Sequence, residues 1–226
     1  MPPMVPRPRP LTPADLPEPC RSCTYWEFED GRRGPEVPEA EAEHTRQAKA
    51  DWWHAAAQRW HPIGLGVGGE RLTAWALLGP PGAFPRARAL GVSAPDAAVL
   101  AHLWLAEDDD VEAAGALVRA AAVRAAAWHL RALEAVAAHG RAEPCHPRLT
   151  LLASLGFRPV RLGVRRTVLR LDLRQLPGVR ERVLGVLRET ARRVARPGEA
   201  PTLPTSRTAR PGDPWPRPGG TAGARG

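Results

Sequence analysis

Residues 99–137 read VLAHLWLAEDDDVEAAGALVRAAAVRAAAWHLRALEAVA, and the fold follows from how that stretch divides. Val99–Leu105 is an apolar run of strand length, followed by the acidic turn Glu107–Asp110. Val111, Ala114, Val118, Ala121, Ala125 and Trp128 then recur at helical spacing, with Arg119 and Arg124 off that face. Leu133–Ala137 is a second apolar strand. A strand, a long helix and a strand make a parallel crossover unit. The carboxylates of the turn suit the positive end of the helix dipole, so Glu107–Asp110 reads first as a capping cluster.

Upstream, Thr24–Phe28 is predicted to be a short aromatic strand. Pro38 opens a helix with Glu39, Glu41 and Glu43 in its first turns, an apolar face of Ala48, Trp52, Ala56 and Trp60, and a stop at His61-Pro62. Ile63–Val67 and Leu72–Leu78 form a hairpin around Gly68-Gly69. Downstream come a short helix at Arg148–Leu155 and strands at Phe157–Leu162 and Thr167–Leu173. A closing helix carries Val179, Val183, Val186, Thr190 and Val194. The fold class is therefore mixed α/β (α+β): a mostly antiparallel sheet with one central parallel β-α-β crossover.

The chain of 226 residues is long enough for one sizeable core, and 43% hydrophobic with 25% charged residues is ordinary for a globular domain. Its 26 prolines and 21 glycines are too many to spread evenly through a packed fold, and 15 of the prolines fall in residues 1–19 and 196–226. Residues 1–19 and 196–226 are expected to be disordered proline-rich and proline/glycine-rich termini around a domain at 20–195. No apolar run reaches the ~18 residues of a membrane span, and Met1–Pro10 has no secretory core, so no membrane partner is expected. Three cysteines cannot close a disulfide framework, which points to the cytoplasm. The net charge of +8 comes almost wholly from arginine, with Lys49 the single lysine among 32 basic residues. Arginines are spread along the chain among carboxylates, so no nucleic-acid partner is expected.

Several short motifs occur in a consistent order. They are Cys20-Arg21-Ser22-Cys23-Thr24-Tyr25-Trp26-Glu27, Lys49-Ala50-Asp51-Trp52, Pro80-Pro81-Gly82-Ala83-Phe84-Pro85-Arg86-Ala87, Ala132-Leu133-Glu134-Ala135 ahead of Cys145, Leu155-Gly156-Phe157, and Arg170-Leu171-Asp172-Leu173-Arg174. With the strand–helix–strand core they resemble the GCN5-related N-acetyltransferase (GNAT) superfamily, and within it a bacterial, actinobacterial-type subgroup marked by an N-terminal CxxC and F/Y-W-E. The resemblance implies acetyl-CoA as cosubstrate, no resident metal, and transfer to an amine on a small molecule or peptide. A homodimer is compatible with it. It also implies that the two central strands splay. Pantetheine would lie on the backbone of Leu103, Trp104 and Leu105, and pyrophosphate on the helix start at Val111, Ala113, Gly115 and Ala116, with Arg119 in reach. The family's turn has Arg or Gln first and paired glycines. Here Asp110-Val111-Glu112-Ala113-Ala114-Gly115 keeps one glycine and begins with a carboxylate.

Amine acetylation needs a base, and Glu134, central to its strand, is the first candidate, with His102 second. The tyrosine acid of the family is missing from Arg148–Leu155; the only tyrosine is Tyr25. Cys20, Cys23, Cys145 and His146 have the composition of a Cys₃His zinc site, although their strands lie far apart across the sheet. Gly64-x-Gly66-x-Gly68-Gly69 resembles a phosphate loop in composition but leads into no helix. Two functions remain open: an acetyl-CoA-dependent N-acetyltransferase, and a degenerate GNAT-fold module that binds without catalysis.

Overall fold

The computed structural model describes residues 7–69, 71–107, 110–140 and 145–176. In chain order the regular elements are β1 (Arg9–Pro10), α1 (Glu39–Trp60), β2 (Gly64–Gly68), β3 (Leu72–Gly79), α2 (Pro85–Ala89), β4 (Ala97–Leu105), α3 (Val111–Ala127), β5 (Ala132–Ala138), α4 (Leu149–Ser154), β6 (Arg158–Arg161) and β7 (Arg166–Asp172). The strands form one sheet in the order β1-β2-β3-β4-β5-β7-β6. Its one parallel pair is β4–β5, bridged by α3 as the crossover requires.

Side-chain alternation divides the sheet into two buried faces. On one, Ala98, Leu100, Leu103, Leu133, Ala135 and Ala137 pack against α3 and against Leu152 of α4. Ala114, Ala121, Ala122 and Ala125 of α3 are wholly buried, and their small side chains let the helix lie close on the strands. On the other face Trp75, Leu77, Val99, Ala101, Val136 and Val168 meet Trp53 of α1, Ala87 of α2 and the segment around Trp26. Each large apolar side chain so buried contributes roughly 1.5–3 kcal/mol.

The glycines of β2 are explained by packing. A Cβ at Gly64 would run into the Trp53 indole, and one at Gly66 would press on Leu11 and Leu72. Gly64→Ala is expected to lower stability by about 1–3 kcal/mol, seen as a lower urea midpoint at unchanged slope.

Four expectations need correction. Thr24–Phe28 is buried as far as Glu27 but is a run of turns: the Thr24 amide donates to Arg32 O, the Phe28 amide to Thr24 O, and the Trp26 amide to the Glu27 carboxylate. With those donors satisfied locally, no ladder forms. The buried face of α1 is Ala42, Lys49 and Trp53, one residue on from the predicted stripe, with Trp52, Ala56 and Trp60 only partly covered. Val111, placed on the inner face of the long helix, is 47% exposed. Residues 7–19, assigned to a disordered terminus, pack onto the domain: β1 pairs with the edge of β2, and Leu11 and Leu16 are buried. Proline is tolerated there because an edge strand has a side that donates to no neighbour. The expected closing helix at 179–194 and the tail at 196–226 lie outside the described residues. Among the described residues no helix is long and apolar enough to cross a membrane.

Candidate functional site

β4 and β5 run side by side for only three residue pairs, Ala97–Ala132, Ala98–Leu133 and Val99–Glu134. Both strands then continue, to Leu105 and Ala138, without pairing further. This is a splay whose apex is Val99–Glu134. A bulge in β4 shapes the open arm: Leu77 of β3 faces His102 and Leu78 faces Leu100, so Ala101 is an extra residue. The bulge resets the alternation, leaving Leu103 on the α3 face and sending both Ala101 and His102 to the opposite side.

Glu134 is thus at the apex, 5% exposed, and it is not alone. Arg170 lies directly across on β7, its Nη1 3.2 Å from Glu134 Oε1, while its Nη2 lies 2.7 Å from Asp96 Oδ2. Asp96 is held below the usual carboxylate range, first by the hydrogen bonds from Arg170, and Arg170 is raised by the same pairing. The two carboxylates share one guanidinium, which fixes the orientation of Glu134.

At the open end stands the start of α3. Asp110 is its N-cap, accepting from the Ala113 amide at 2.9 Å, so the acidic turn does cap the helix. Val111 is exposed, whereas Ala113, Gly115 and Ala116 are buried. A Cβ at Gly115 would come within 3.1 Å of Arg119 Nη1 and 3.6 Å of Leu155, so the missing side chain makes room for a guanidinium folded back over the first turn. Leu103 is buried and Trp104 and Leu105 are half-buried on the arm of β4 leading there. A cavity of about 300 Å³ opens beside the end of β5, lined by His139, Gly140, Leu149 and Thr150.

The arm of β5 carries a passenger. Ala138 pairs with Arg166 of β7 on one edge; on the other, facing β4, its amide donates to Pro147 O at 3.0 Å and it bridges to Arg148. The loop at 145–148 therefore lies inside the splay.

Behind the splay, on the α1 face, is a buried polar cluster. Lys49 Nζ lies 2.8 Å from Glu27 Oε1, off the direction of a hydrogen bond, and donates to Cys23 O at 2.6 Å. Burial opposes the Lys49 charge, but Glu27 and Cys23 outweigh it and raise the ammonium above its ordinary range. Cys23 Sγ is 3.3 Å from Cys145 Sγ. Cys20 Sγ is 3.9 Å from His102 Nε2, and His102 stacks on Trp75 with centroids 4.3 Å apart. His146 Nε2 meets Tyr25 Oη at 3.2 Å. Of the four residues of zinc-like composition, two meet each other and two turn to other partners. Among the described residues no group of His, Cys, Asp and Glu is arranged to hold a metal ion.

Sequence reasoning placed Glu134 and His102 on neighbouring strands but missed Lys49, Glu27 and Tyr25 as members of one buried cluster. The available signal was compositional: a chain that uses arginine everywhere else keeps lysine once.

No known family model matches the chain, and no curated protein does. Solved structures do resemble it. The PaiA N-acetyltransferase of Thermoplasma acidophilum, in complex with coenzyme A, is 12% identical over 75% of this chain and 99% of its own, with a TM-score of 0.49. YncA of Salmonella typhimurium, solved with its cofactor acetyl-CoA, is 16% identical over 77% and 97%, with a TM-score of 0.48. The GNAT domain of S. lividans PAT is 16% identical over 73% and 89%, with a TM-score of 0.43. Among the described residues the architecture is a mostly antiparallel seven-stranded sheet with one parallel pair bridged by a helix. The single parallel pair, the crossover helix and six of the seven strands match the sequence expectation; the seventh is β1, in place of Thr24–Phe28.

Proposed function

We propose that the protein is an acetyl-CoA-dependent N-acetyltransferase that acylates a primary amine on a small molecule or peptide. The observation that carries this reading is the splay: a parallel pair that parts after Glu134, with a bulged β4 arm leading to a capped helix start. The residues present fit the cosubstrate. The backbone of Leu103–Leu105 along the open edge would hold an extended amide-bearing arm. The first turn of α3, with Arg119 folded over Gly115, would hold its phosphates. When bound there, acetyl-CoA supplies an activated acyl thioester. Glu134, oriented by Arg170, is the group that would take the proton of the acceptor ammonium.

Asp110 and Glu112 stand against that anion, each contributing about 3 kcal/mol of repulsion at ~6 Å before salt screening. Arg119 is therefore the cation on which binding depends. Arg119→Ala is expected to weaken acetyl-CoA about 10- to 100-fold in calorimetric titration at moderate salt. Glu134→Gln, which keeps an oxygen for Arg170, is expected to slow transfer about 100-fold with acetyl-CoA affinity nearly unchanged.

A second reading is favoured by one observation. The loop at 145–148 already bonds to the β5 edge of the splay, as it would in a GNAT-fold module that binds a partner and performs no transfer. Titration with millimolar acetyl-CoA decides between the two. Heat and a thermal shift support the enzyme; neither signal supports the module.

A further inference from the structure

We propose that Cys23 and Cys145 form a reversible disulfide that fastens the 145–148 loop between β4 and β5, so that oxidation closes the splay and reduction releases it. The dithiol rests on geometry; only the closure rests on the acetyltransferase reading above.

The two sulfurs lie 3.3 Å apart although 122 positions separate them in the chain. Both are buried, and each is held from its own side. The Cys23 carbonyl receives Lys49 Nζ. The Cys145 carbonyl receives the Trp26 indole at 3.2 Å, and Cys145 itself has φ of 69°, a left-handed backbone that L side chains seldom adopt. Two residues on, Pro147 O holds the Ala138 amide of β5. A bond between the sulfurs would thus tie the loop in the splay to the segment anchored on α1.

The pair is chemically unequal. The hydrogen bond between the two sulfurs, with the nearby Lys49 charge, lowers Cys23 to about 7 against the opposing effect of burial. The same hydrogen bond, and burial, push Cys145 up. Burial pushes Cys20 up to about 11, so it stays a thiol. Cys23, which lines a small cavity beside the Lys49 ammonium that Cys145 does not reach, is the attacking sulfur and Cys145 the resolving one. Cys23 borders a cavity of about 10 Å³ with Glu27, Lys49, Trp75 and His102, so the oxidant must be no larger than hydrogen peroxide. The Cys23 thiolate attacks one peroxide oxygen, the O–O bond breaks, and hydroxide leaves to become water, giving a sulfenic acid. The Cys145 sulfur, losing its proton, attacks the Cys23 sulfur. The S–S bond forms, the S–O bond breaks and a second water departs. Two electrons pass from the thiols to the peroxide.

The test uses the full reduced chain, treated with hydrogen peroxide and alkylated after denaturation. Three reactive thiols are expected to fall to one, with a mapped Cys23–Cys145 crosslink, and dithiothreitol should restore all three. Cys20→Ala should still form the crosslink. Cys145→Ala should stop at a sulfenic acid trappable by dimedone, and Cys23→Ser should form neither product. Hydrogen exchange at the Ala138 amide should slow about tenfold on oxidation. A crosslink through Cys20, or three thiols surviving peroxide, overturns the dithiol; unchanged Ala138 exchange overturns the fastening. Acetyl-CoA titration then reads the closure. Binding to the reduced form alone supports it, and equal binding to both forms overturns it. Binding to neither overturns the closure together with the coenzyme reading, while the thiol counts still judge the disulfide.

Discussion

Lys49→Met is expected to lower the unfolding free energy by about 3–5 kcal/mol, the typical loss when one partner of a buried ion pair is removed. Lys49 and Glu27 are each 2% exposed, so the Glu27 carboxylate left behind would have neither water nor a cation. Cys23 O would lose its ammonium donor at the same time. Urea unfolding at neutral pH measures the loss. The double variant Lys49→Met/Glu27→Gln should recover most of it, because a buried neutral pair avoids the desolvation that a lone charge cannot. Lys49→Arg should not rescue. The site accepts a compact point charge reaching one carboxylate and one carbonyl, and a planar guanidinium presents five donors in a rigid fork. A loss below about 1 kcal/mol for Lys49→Met would mean that the pair is solvated. The same burial predicts that amine-directed reagents leave the side chain of this only lysine unmodified until the protein unfolds.

Acid should destabilise the protein through His102. Burial, followed by the charge of Lys49 and then His146, lowers this imidazole to about 3. An unfolded chain takes up the proton near 6.5, whereas the folded chain resists until about 3. Between those values the unfolded state holds more protons, so stability falls as pH falls. Each pH unit contributes about 1.4 kcal/mol, and the whole window on the order of 4 kcal/mol. His102→Phe keeps a flat ring against Trp75 and removes the titration. Its stability should vary less with pH between 6.5 and 3, by that amount, in urea midpoints taken at each pH. Parallel curves for the two proteins would show that His102 is protonated in the fold.

β3, β4 and β5 were legible because each is a largely apolar run, and α3 because its alanines repeat at helical spacing over 17 residues. On α1 the same method slipped by one residue. Tryptophans at 52, 53 and 60 mark two adjacent stripes, and the stripe actually buried includes a lysine, which no hydrophobicity pattern selects. Thr24–Phe28 failed for a related reason: aromatic content signals burial, and burial was reached there through turns. Glu134 was visible as a carboxylate inside a strand. That its partner is Arg170 follows only from the register of β5 with β7.

Local physics acting along the chain, the apolar periods and the turn residues between them, was enough to determine a mixed sheet with one parallel crossover. Which polar groups meet was decided by tertiary structure alone. Cys23 and Cys145, Lys49 and Glu27, and Tyr25 and His146 come from separate segments, each set in place by packing on the α1 face of the sheet. An apolar period repeats within one element and can be read there. The partner of a buried charge or thiol is chosen by distance in space, which depends on every strand register and helix orientation between the two.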